Sequence, residues 1–277
     1  MLRNSLMPKA VGILSTIALL SPVTLHAEDG APESADALAA LIKARTANEG
    51  RTGVMTFSLE NARGQTRTRA SRLFHEDTGD MTRIAIHFVE PAAIEGTAFL
   101  SHDSADPEKT DETWLFLPST ERVRRLPSSD RGDAFMGTDL SYGDIKDNFK
   151  FEPAEWTFSG FGETETADGM RYTLEGTIKS AQLAKELGYG SFIAEVDPET
   201  WFPVYVRYTD EDNAPLKEVR ITEQKRVGDA WTATAFTVVN LQREHKTEVV
   251  LSEMAARPIE GNVFEANRLD LGLPRLD

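Results

Sequence analysis

The stretch Glu95 to Ile145 decides the fold, and its three most patterned parts read EGTAFLSHD, TWLFLPSTERVRRL and GDAFMGTDLSYGDI. The first part alternates small or polar residues with apolar ones. Thr113 to Leu117 places two aromatic residues on one side of the chain and two leucines on the other. Both patterns are typical of β-strands, whose side chains point to alternate faces. The acidic, turn-rich residues Ser104 to Glu112 between them predict a hairpin loop.

A third strand is predicted directly after these two. Pro118-Ser119-Thr120 turns the chain into Glu121 to Leu126, where Val123 is the single apolar residue between Arg122 and the pair Arg124-Arg125. Such a charged strand predicts that one edge or face of it is in water.

The next segment, Ser128 to Gly143, is rich in Gly, Ser and Asp but carries four large apolar residues. A loop this polar has no structural need for such side chains unless they cover something. We expect Tyr142 to Phe149 to form a short helix that folds back as a cover. The four residues are Phe135, Met136, Leu140 and Tyr142.

The chain before this stretch begins with a predicted secretory signal, Met1 to Ala27. Its amino end carries Arg3 and Lys9, Ala10 to Leu20 is an apolar run, and Ala27 supplies the small residue at the cleavage site. The run is too short to span a bilayer comfortably. We predict that residues 28–277 form one domain, because no Pro- or Ser-rich linker divides them.

Period-two patterns dominate the mature chain. Asp36 to Thr46 has helical spacing, with Ser34 or Asp36 as its N-cap, and Ala181 to Leu187 also fits a short helix. Most other patterned segments predict strands joined by short turns, roughly ten or eleven in all, and an open sheet of that size must curl or bury one face. The fold class is therefore mainly β, a large curved antiparallel sheet with few helices. A helical turn at Asn262 to Leu269 is expected to pack onto it.

The central stretch resembles the LolA-like family of outer-membrane lipoprotein-sorting proteins, especially its longer branch found beside exporters of the RND and MMPL types. The matching residues are Gly96 to Leu100, Trp114 to Arg125 and Phe135 to Asp144, in the order GTAFL, WLFLPS-x-x-RVRR and F-MGTD-SY-D. Val196 to Pro203 and Lys246-Thr247 look similar too. The resemblance covers roughly the whole mature chain.

This resemblance implies a half-open barrel whose concave side is plugged by helices. It implies a monomeric periplasmic carrier or chaperone that shelters an acyl chain or a lipoprotein in a hydrophobic cavity. The implied partners are an inner-membrane exporter of the RND/MMPL or ABC type and an outer-membrane acceptor. The alternative is a periplasmic sensor or interaction module of the same fold, for which a second, smaller domain would be the distinguishing feature.

The charge of the chain argues against two classes of partner. Without the predicted signal the chain keeps 28 of its 30 Lys and Arg against 45 Asp and Glu, a formal charge of −17. Such a surface repels nucleic acid and anionic lipid headgroups at long range. The absence of cysteine excludes disulfides and a lipid-bearing amino-terminal cysteine.

No motif supports an enzyme, a metal or a cofactor. The sequence lacks HExxH, G-x-S-x-G, a P-loop and a dinucleotide fingerprint. His102-Asp103 is the best acid–base or metal candidate, although a solvated strand end is the favoured interpretation of this pair. The acidic loop 103–112 departs from the EF-hand pattern, which leaves a solvated hairpin tip or weak calcium binding. Glu163 and Glu165 would share a strand face, as chance allows in so acidic a chain.

Apolar side chains concentrate in the middle third of the chain. They are either ordinary core or the lining and lid of a cavity, for which methionine and aromatic side chains are well suited. The candidate cavity and lid residues are Phe99, Trp114, Phe116, Phe135, Met136, Tyr142 and Phe149.

The arginine cluster has two interpretations. It is a charged edge strand protected from aggregation, or it pairs at the rim of the cavity with a lipid headgroup or with carboxylates of the lid. The residues concerned are Arg122, Arg124 and Arg125 with Asp139 and Asp144.

Overall fold

The computed structural model describes residues 31–45, 50–106 and 109–272, so the predicted signal peptide, Met1 to Ala27, lies outside the described residues. Short 3₁₀ helices cover Ser128–Asp130, Phe135–Gly137, Gly261–Phe264 and Ala266–Leu271. The other elements are α1 Ala35–Ala44, β1 Arg51–Glu60, β2 Thr66–Asp77, β3 Met81–Glu90, β4 Ala98–Ser104, β5 Glu112–Leu117, β6 Arg122–Arg125, α2 Tyr142–Asp147, β7 Trp156–Thr166, β8 Gly169–Ile178, α3 Ala181–Leu187, β9 Ser191–Val196, β10 Pro203–Thr209, β11 Pro215–Val227, β12 Ala230–Asn240 and β13 His245–Ala256.

All the described strands form one antiparallel sheet. Their order is β6-β5-β4-β3-β2-β1-β13-β12-β11-β10-β9-β8-β7. Two meanders, β1 to β6 and β7 to β13, therefore meet where β1 pairs with β13, from Arg51 opposite Ala256 to Glu60 opposite Lys246. The sheet is curved and open, which confirms the predicted mainly β fold with few helices.

The two edges of the sheet, β6 and β7, are consecutive in the chain. Residues 126–155 must therefore pass from one edge to the other, and they do so across one face of the sheet. This path explains why a segment rich in Gly, Ser and Asp carries large apolar residues, because those side chains cover the strands that the segment crosses.

The two faces of the sheet bury separate apolar clusters. We call the face crossed by residues 126–155 the inner face; it carries Phe57, Ile86 and Phe99, and α1 and α3 pack there as well. The opposite, outer face carries Phe74 and Leu100 and is covered near β4 to β6 by the two carboxy-terminal 3₁₀ helices. Both faces of β4 and β5 are thus buried.

The described strands number thirteen, so the predicted count of ten or eleven was too low. The sequence pattern predicts this edge strand only over Glu155 to Ser159, but β7 runs to Thr166. Two glycines and several polar residues interrupt its apolar pattern, but hydrogen bonding to β8 continues from Trp156 opposite Ile178 to Thr166 opposite Gly169. Edge strands need less apolar character because much of one side faces water.

The predicted helices are confirmed. Ser34 caps α1 by accepting a hydrogen bond from the backbone N–H of Ala37 at 3.1 Å, and Leu38 and Ile42 are fully buried on the inner face. The predicted carboxy-terminal turn packs Phe264 and Leu269 onto the outer face. Within the described ranges, no helix is both long enough and apolar enough to cross a membrane.

Candidate functional site

A mainly apolar pocket with a cavity volume of about 70 Å³ lies on the inner face, between α2 and the central strands. We call it the inner pocket. Strands β1, β2, β3, β12 and β13 form its floor, and α2 with its flanking residues forms its roof. Among the lining residues are Met55, Leu73, Ile86, Ala233, Phe236 and Leu251 of the floor and Leu140, Ile145 and Phe149 of the roof.

Residues 134–149, which we call the lid, form this roof. A capping box begins α2, because the Ser141 hydroxyl accepts from the Asp144 N–H and the Asp144 carboxylate accepts from the Ser141 N–H. Positive φ angles lie on both sides of α2, at Met136 (50°), Asn148 (47°) and Phe149 (58°). This conformation is strained for large side chains, so contacts with the rest of the protein must hold the lid in place.

Aromatic packing supplies the first of these contacts. Phe135 is fully buried and lies within 5.4–6.0 Å, centroid to centroid, of four other rings. Three of them belong to the sheet and the fourth is on α2, so this side chain joins the lid to the inner face. The four rings are those of Phe57, Phe88, Phe99 and Tyr142.

Two buried carboxylates supply the second set of contacts. The Asp139 carboxylate lies 2.6 Å from His245 Nδ1 and accepts from the Thr247 hydroxyl at 2.7 Å. The Asp144 carboxylate forms an ion pair with Lys217 and accepts from the Tyr189 hydroxyl at 2.8 Å. Burial, and then the charge of Asp144, raise the pKa of Tyr189 well above its usual value, so Tyr189 remains a hydrogen-bond donor. The lid is thereby tied to β11 and β13.

Lys146 of α2 makes the third connection, to the hairpin of β4 and β5. Its ammonium lies 3.0 Å from Asp103 and 2.7 Å from Asp111. Burial raises the pKa of Asp103 to about 6 despite this lysine. Although burial opposes the effect, the hydrogen bond with Asp103 and the charge of Lys146 lower the pKa of Asp111. The two carboxylates therefore differ in their affinity for a proton.

We expect the Asp103 carboxyl carbon to titrate near pH 6 in an NMR experiment, with Asp111 below its ordinary range. Because the folded-state pKa of Asp103 exceeds the unfolded one, its contribution to stability declines as the pH rises from about 4 to about 6. The Asp103→Asn variant should lack this decline. An Asp103 midpoint near pH 4 would contradict this account of its burial.

The polar lining residues of the inner pocket include a buried arginine. Arg51 at the start of β1 is 4% exposed, and it donates to the Thr232 hydroxyl at 2.8 Å and to His75 Nδ1 at 3.2 Å. Burial, and then the charges of Arg51 and Lys150, lower the pKa of His75 well below its usual value. His75 is therefore neutral, and because Nδ1 accepts from Arg51, its proton lies on Nε2.

A second arginine lies behind the first. Arg45 follows α1 and donates to two backbone carbonyls, that of Ile42 and, at 2.6 Å, that of Asn148 at the end of the lid. Its guanidinium also lies 4.4 Å from the centre of the Phe202 ring. Burial, and then the charge of Arg51, lower the pKa of Arg45 to about 9, so the side chain remains charged at neutral pH.

The structure separates the predicted cavity residues into two groups. Phe149 lines the inner pocket, and Phe99, Phe135, Met136 and Tyr142 belong to the apolar cluster on the same face. Trp114 and Phe116 belong instead to the cluster on the outer face. The prediction that Trp114 and Phe116 line the same cavity as the other five residues is therefore wrong. The physical reason is strand alternation, because Leu115 pairs with Phe99 and faces inward, so its two aromatic neighbours face outward.

The predicted pairing of the arginine cluster with the lid is also corrected. Asp139 and Asp144 are occupied by the histidine, lysine, threonine and tyrosine described above. Arg125 lies 3.2 Å from Glu112 on the neighbouring strand, and Arg122 and Arg124 are exposed on β6. Strand β6 is the edge of the sheet, in agreement with the charged-edge interpretation.

The two residues of the acid–base candidate His102-Asp103 contact different parts of the structure. His102 Nε2 lies 2.9 Å from the Phe264 carbonyl oxygen of the carboxy-terminal 3₁₀ helix, whereas Asp103 contacts Lys146. In the described ranges, no three His, Cys, Asp or Glu residues come together in a way that could hold a metal ion.

Several residues of the site were missed from the sequence, although a signal exists for two of them. Arg51 is an even number of residues from Met55 and Phe57 in β1, so its side chain is on the same face of the strand. Lys217 is related to Val219 in β11 in the same way. A single Arg or Lys on the otherwise apolar face of a strand indicates that its charge has a buried partner or belongs to a binding site. Tyr189 and Thr247 carry no comparable signal.

Comparisons with known proteins agree with this architecture. A family model described as "Uncharacterized protein" matches residues 80–270. The fold is similar to that of a DUF1329 family protein from Desulfovibrio piger, with 24% identity, a TM-score of 0.78, and coverage of 86% of this chain and 98% of that one. A comparison with curated proteins finds no match.

Two further structures carry names that describe a role. A domain assigned to outer membrane lipoprotein sorting from Vibrio parahaemolyticus is 27% identical, with a TM-score of 0.76 and coverage of 86% of this chain and 100% of that domain. A LolA superfamily protein from Nitrosomonas europaea is 16% identical, with a TM-score of 0.63 and coverage of 84% and 97%. Since the family model spans more than half of the chain, the chain belongs to that family, and it has the fold of the LolA-like proteins.

Proposed function

We propose that this protein is a periplasmic carrier that shelters a long acyl chain, as part of a lipid or a lipoprotein, beneath its lid. The observation that carries the proposal is an apolar pocket in the centre of the inner face, roofed by a segment whose backbone is strained on both sides of its helix. An apolar cavity with a movable cover suits a flexible apolar ligand. The lipoprotein-sorting domain with which the chain shares its fold supports the same role.

In this proposal the structure is the closed state of the carrier, and the size of the pocket supports that assignment. Its volume of about 70 Å³ is well below the roughly 300–1,000 Å³ of pockets that enclose small-molecule ligands. A long chain therefore enters only when Ile145 and Phe149 move away from the floor. We expect the backbone strain at Phe149 to be released in that movement, which would lower the cost of opening.

Closure of the lid also solves the problem of release. A sixteen-carbon chain gains on the order of 12 kcal/mol by burial, at about 0.8 kcal/mol per methylene. A carrier with that net affinity would not release the acyl chain unaided. Because the lid side chains occupy the floor in the empty state, the ligand must displace them, and the net affinity falls by the cost of opening.

This mechanism requires partners at both membranes. An inner-membrane exporter of the RND/MMPL or ABC type would present the chain, and an outer-membrane acceptor would take it by binding it better. The carrier itself acts as a monomer and performs no reaction, so it needs neither a cofactor nor a metal. Its net negative charge keeps it from adsorbing to anionic membrane surfaces between the two encounters.

Blocking the inner pocket tests the proposal. Ala233 on β12 is buried and lines the floor, whereas Val250 on the adjacent β13 is 47% exposed on the outer face. We expect Ala233→Trp to lower the affinity for cis-parinaric acid, a naturally fluorescent fatty acid, by at least roughly tenfold, because the indole fills the space that the chain needs.

The matched control is Val250→Trp, which adds the same side chain to the other face of the sheet. Its affinity should stay within about twofold of the wild type. Circular dichroism and thermal unfolding establish that both variants fold. Equal fatty-acid binding by wild type and a folded Ala233→Trp variant would show that the chain does not enter the inner pocket.

A further inference from the structure

We propose that Arg51 and His75 form a headgroup site in the inner pocket, and that this site binds the oxyanion of a single-chain amphiphile, either a carboxylate or a phosphate. The inference rests on the proposed function, since it assigns the polar end of the same ligand. It adds a chemical class to that ligand and a specificity-determining residue to the chain.

The first observation is that the positive charge of Arg51 lacks a counter-ion among the described residues. Arg51 is 4% exposed, the two hydrogen-bond partners of its guanidinium are neutral groups, and its buried Nε has no partner. Buried charges in proteins are normally paired, because an unpaired charge in an apolar site is costly. The unmatched charge faces a pocket that is otherwise largely apolar.

The nearby carboxylates do not fill this role. Asp77 attracts Arg51 through space, but its carboxylate accepts from the Gly79 N–H at 2.9 Å and from Lys150 at 3.4 Å. Asp144, which also lines the pocket, is held by Lys217 and the Tyr189 hydroxyl. Neither the Asp77 nor the Asp144 carboxylate forms an ion pair with Arg51 among the described residues.

The donors that remain match an oxyanion. Arg51 offers an unused Nε–H, and the neutral ring of His75 carries its proton on Nε2 because Nδ1 already accepts from Arg51. Arg45 adds a second positive charge nearby, again with a buried Nε that has no partner. Guanidinium groups bind carboxylates and phosphates through paired, charge-assisted hydrogen bonds.

Three amphiphiles with the same chain test this inference. Dodecanoic acid, dodecyl phosphate and 1-dodecanol are each used at about pH 7.5, where the first two are anionic, to displace the neutral apolar probe N-phenyl-1-naphthylamine. We expect the wild-type protein to bind at least one anionic ligand roughly tenfold or more tightly than the alcohol, since charge-assisted hydrogen bonds distinguish them. Whichever of dodecanoic acid and dodecyl phosphate binds more tightly identifies the headgroup, carboxylate or phosphate, that fits the site.

Arg51→Met keeps the apolar volume and removes the charge. In this variant the preference for the anion should disappear while the affinity for 1-dodecanol stays within about threefold. Arg72→Met on β2 is the matched control, because that arginine is outside the pocket and forms an exposed ion pair with Glu253. It should retain the preference. Arg51→Lys keeps the positive charge but loses the paired N–H donors of the guanidinium, so it should retain part of the preference for the anion.

The outcomes separate this inference from the proposed function. If wild type binds the acid, the phosphate and the alcohol equally, or if Arg51→Met keeps the preference, the headgroup site is wrong while the acyl carrier stands. If neither the probe nor any of the three amphiphiles binds the wild type, the carrier itself is wrong, and the headgroup site is overturned with it. The wild-type comparison decides the question even if Arg51→Met fails to fold.

Discussion

Replacement of Phe135 with alanine is expected to lower the free energy of unfolding by about 3–5 kcal/mol, one of the two largest losses that the structure predicts. The side chain is fully buried and packs against four aromatic rings. Its removal leaves a cavity where the lid meets the sheet, which the rigid neighbouring rings cannot fill. Urea unfolding at neutral pH, followed by tryptophan fluorescence, measures the change.

The matched control for this loss is Phe161→Ala. Phe161 is the same residue type but is 39% exposed on the edge strand β7, so its truncation should cost about 1 kcal/mol or less. Hydrogen exchange should also show faster exchange of the α2 amides in Phe135→Ala than in the control. Similar losses in the two variants would mean that Phe135 does not anchor the lid.

Replacement of Asp144 with alanine is expected to cost a similar amount, about 3–5 kcal/mol, because it leaves the Lys217 ammonium buried without its counter-ion. The two side chains are 6% and 4% exposed. The substitution also removes half of the capping box and the acceptor for the Tyr189 hydroxyl. Chemical unfolding at pH 7 gives the loss.

A second variant identifies the cause. In the double variant Asp144→Ala with Lys217→Met, no unpaired charge remains, so part of the stability should return. Glu253→Ala breaks the exposed pair with Arg72 and should change stability by less than about 1 kcal/mol. A double variant that is less stable than Asp144→Ala would exclude the unpaired lysine as the source of the loss.

The sequence predicted the architecture well because the strands on both sides of the central stretch alternate clearly. Met55, Phe57 and Leu59 share the inner face as expected, and the short turns between successive strands specify an antiparallel meander. Large apolar residues in the polar segment after β6 correctly indicated a cover. Edge strand β7 was predicted too short, because its apolar pattern is lost before the strand ends at Thr166.

The faces of β4 and β5 could not be assigned from periodicity. Thr113 to Leu117 is apolar on both sides, so neither the aromatic pair nor the leucine pair stands out as the core face. Both sides are in fact buried, the outer one under Phe264 and Leu269 from the distant carboxy terminus. Only tertiary contacts over such a sequence separation distinguish the two faces.

The charged contacts of the lid were misassigned for a related reason. Arg122, Arg124 and Arg125 lie 14 to 22 residues before the lid carboxylates Asp139 and Asp144, but those carboxylates reach across the sheet to β13 and β11. The partners are more than 70 residues away in sequence. Single buried cations such as Arg51 and Lys217, on otherwise apolar strand faces, are the more informative signal.

Native mass spectrometry with lipid extraction, on the protein purified from its own periplasm, tests the central claim most directly. The wild type and Val250→Trp should carry the same acylated species of defined mass, and Ala233→Trp should carry none because its pocket is filled. Retention of that species by a folded Ala233→Trp variant, or a wild type that is empty and takes up no fatty acid, would contradict the account of this protein as an acyl-chain carrier.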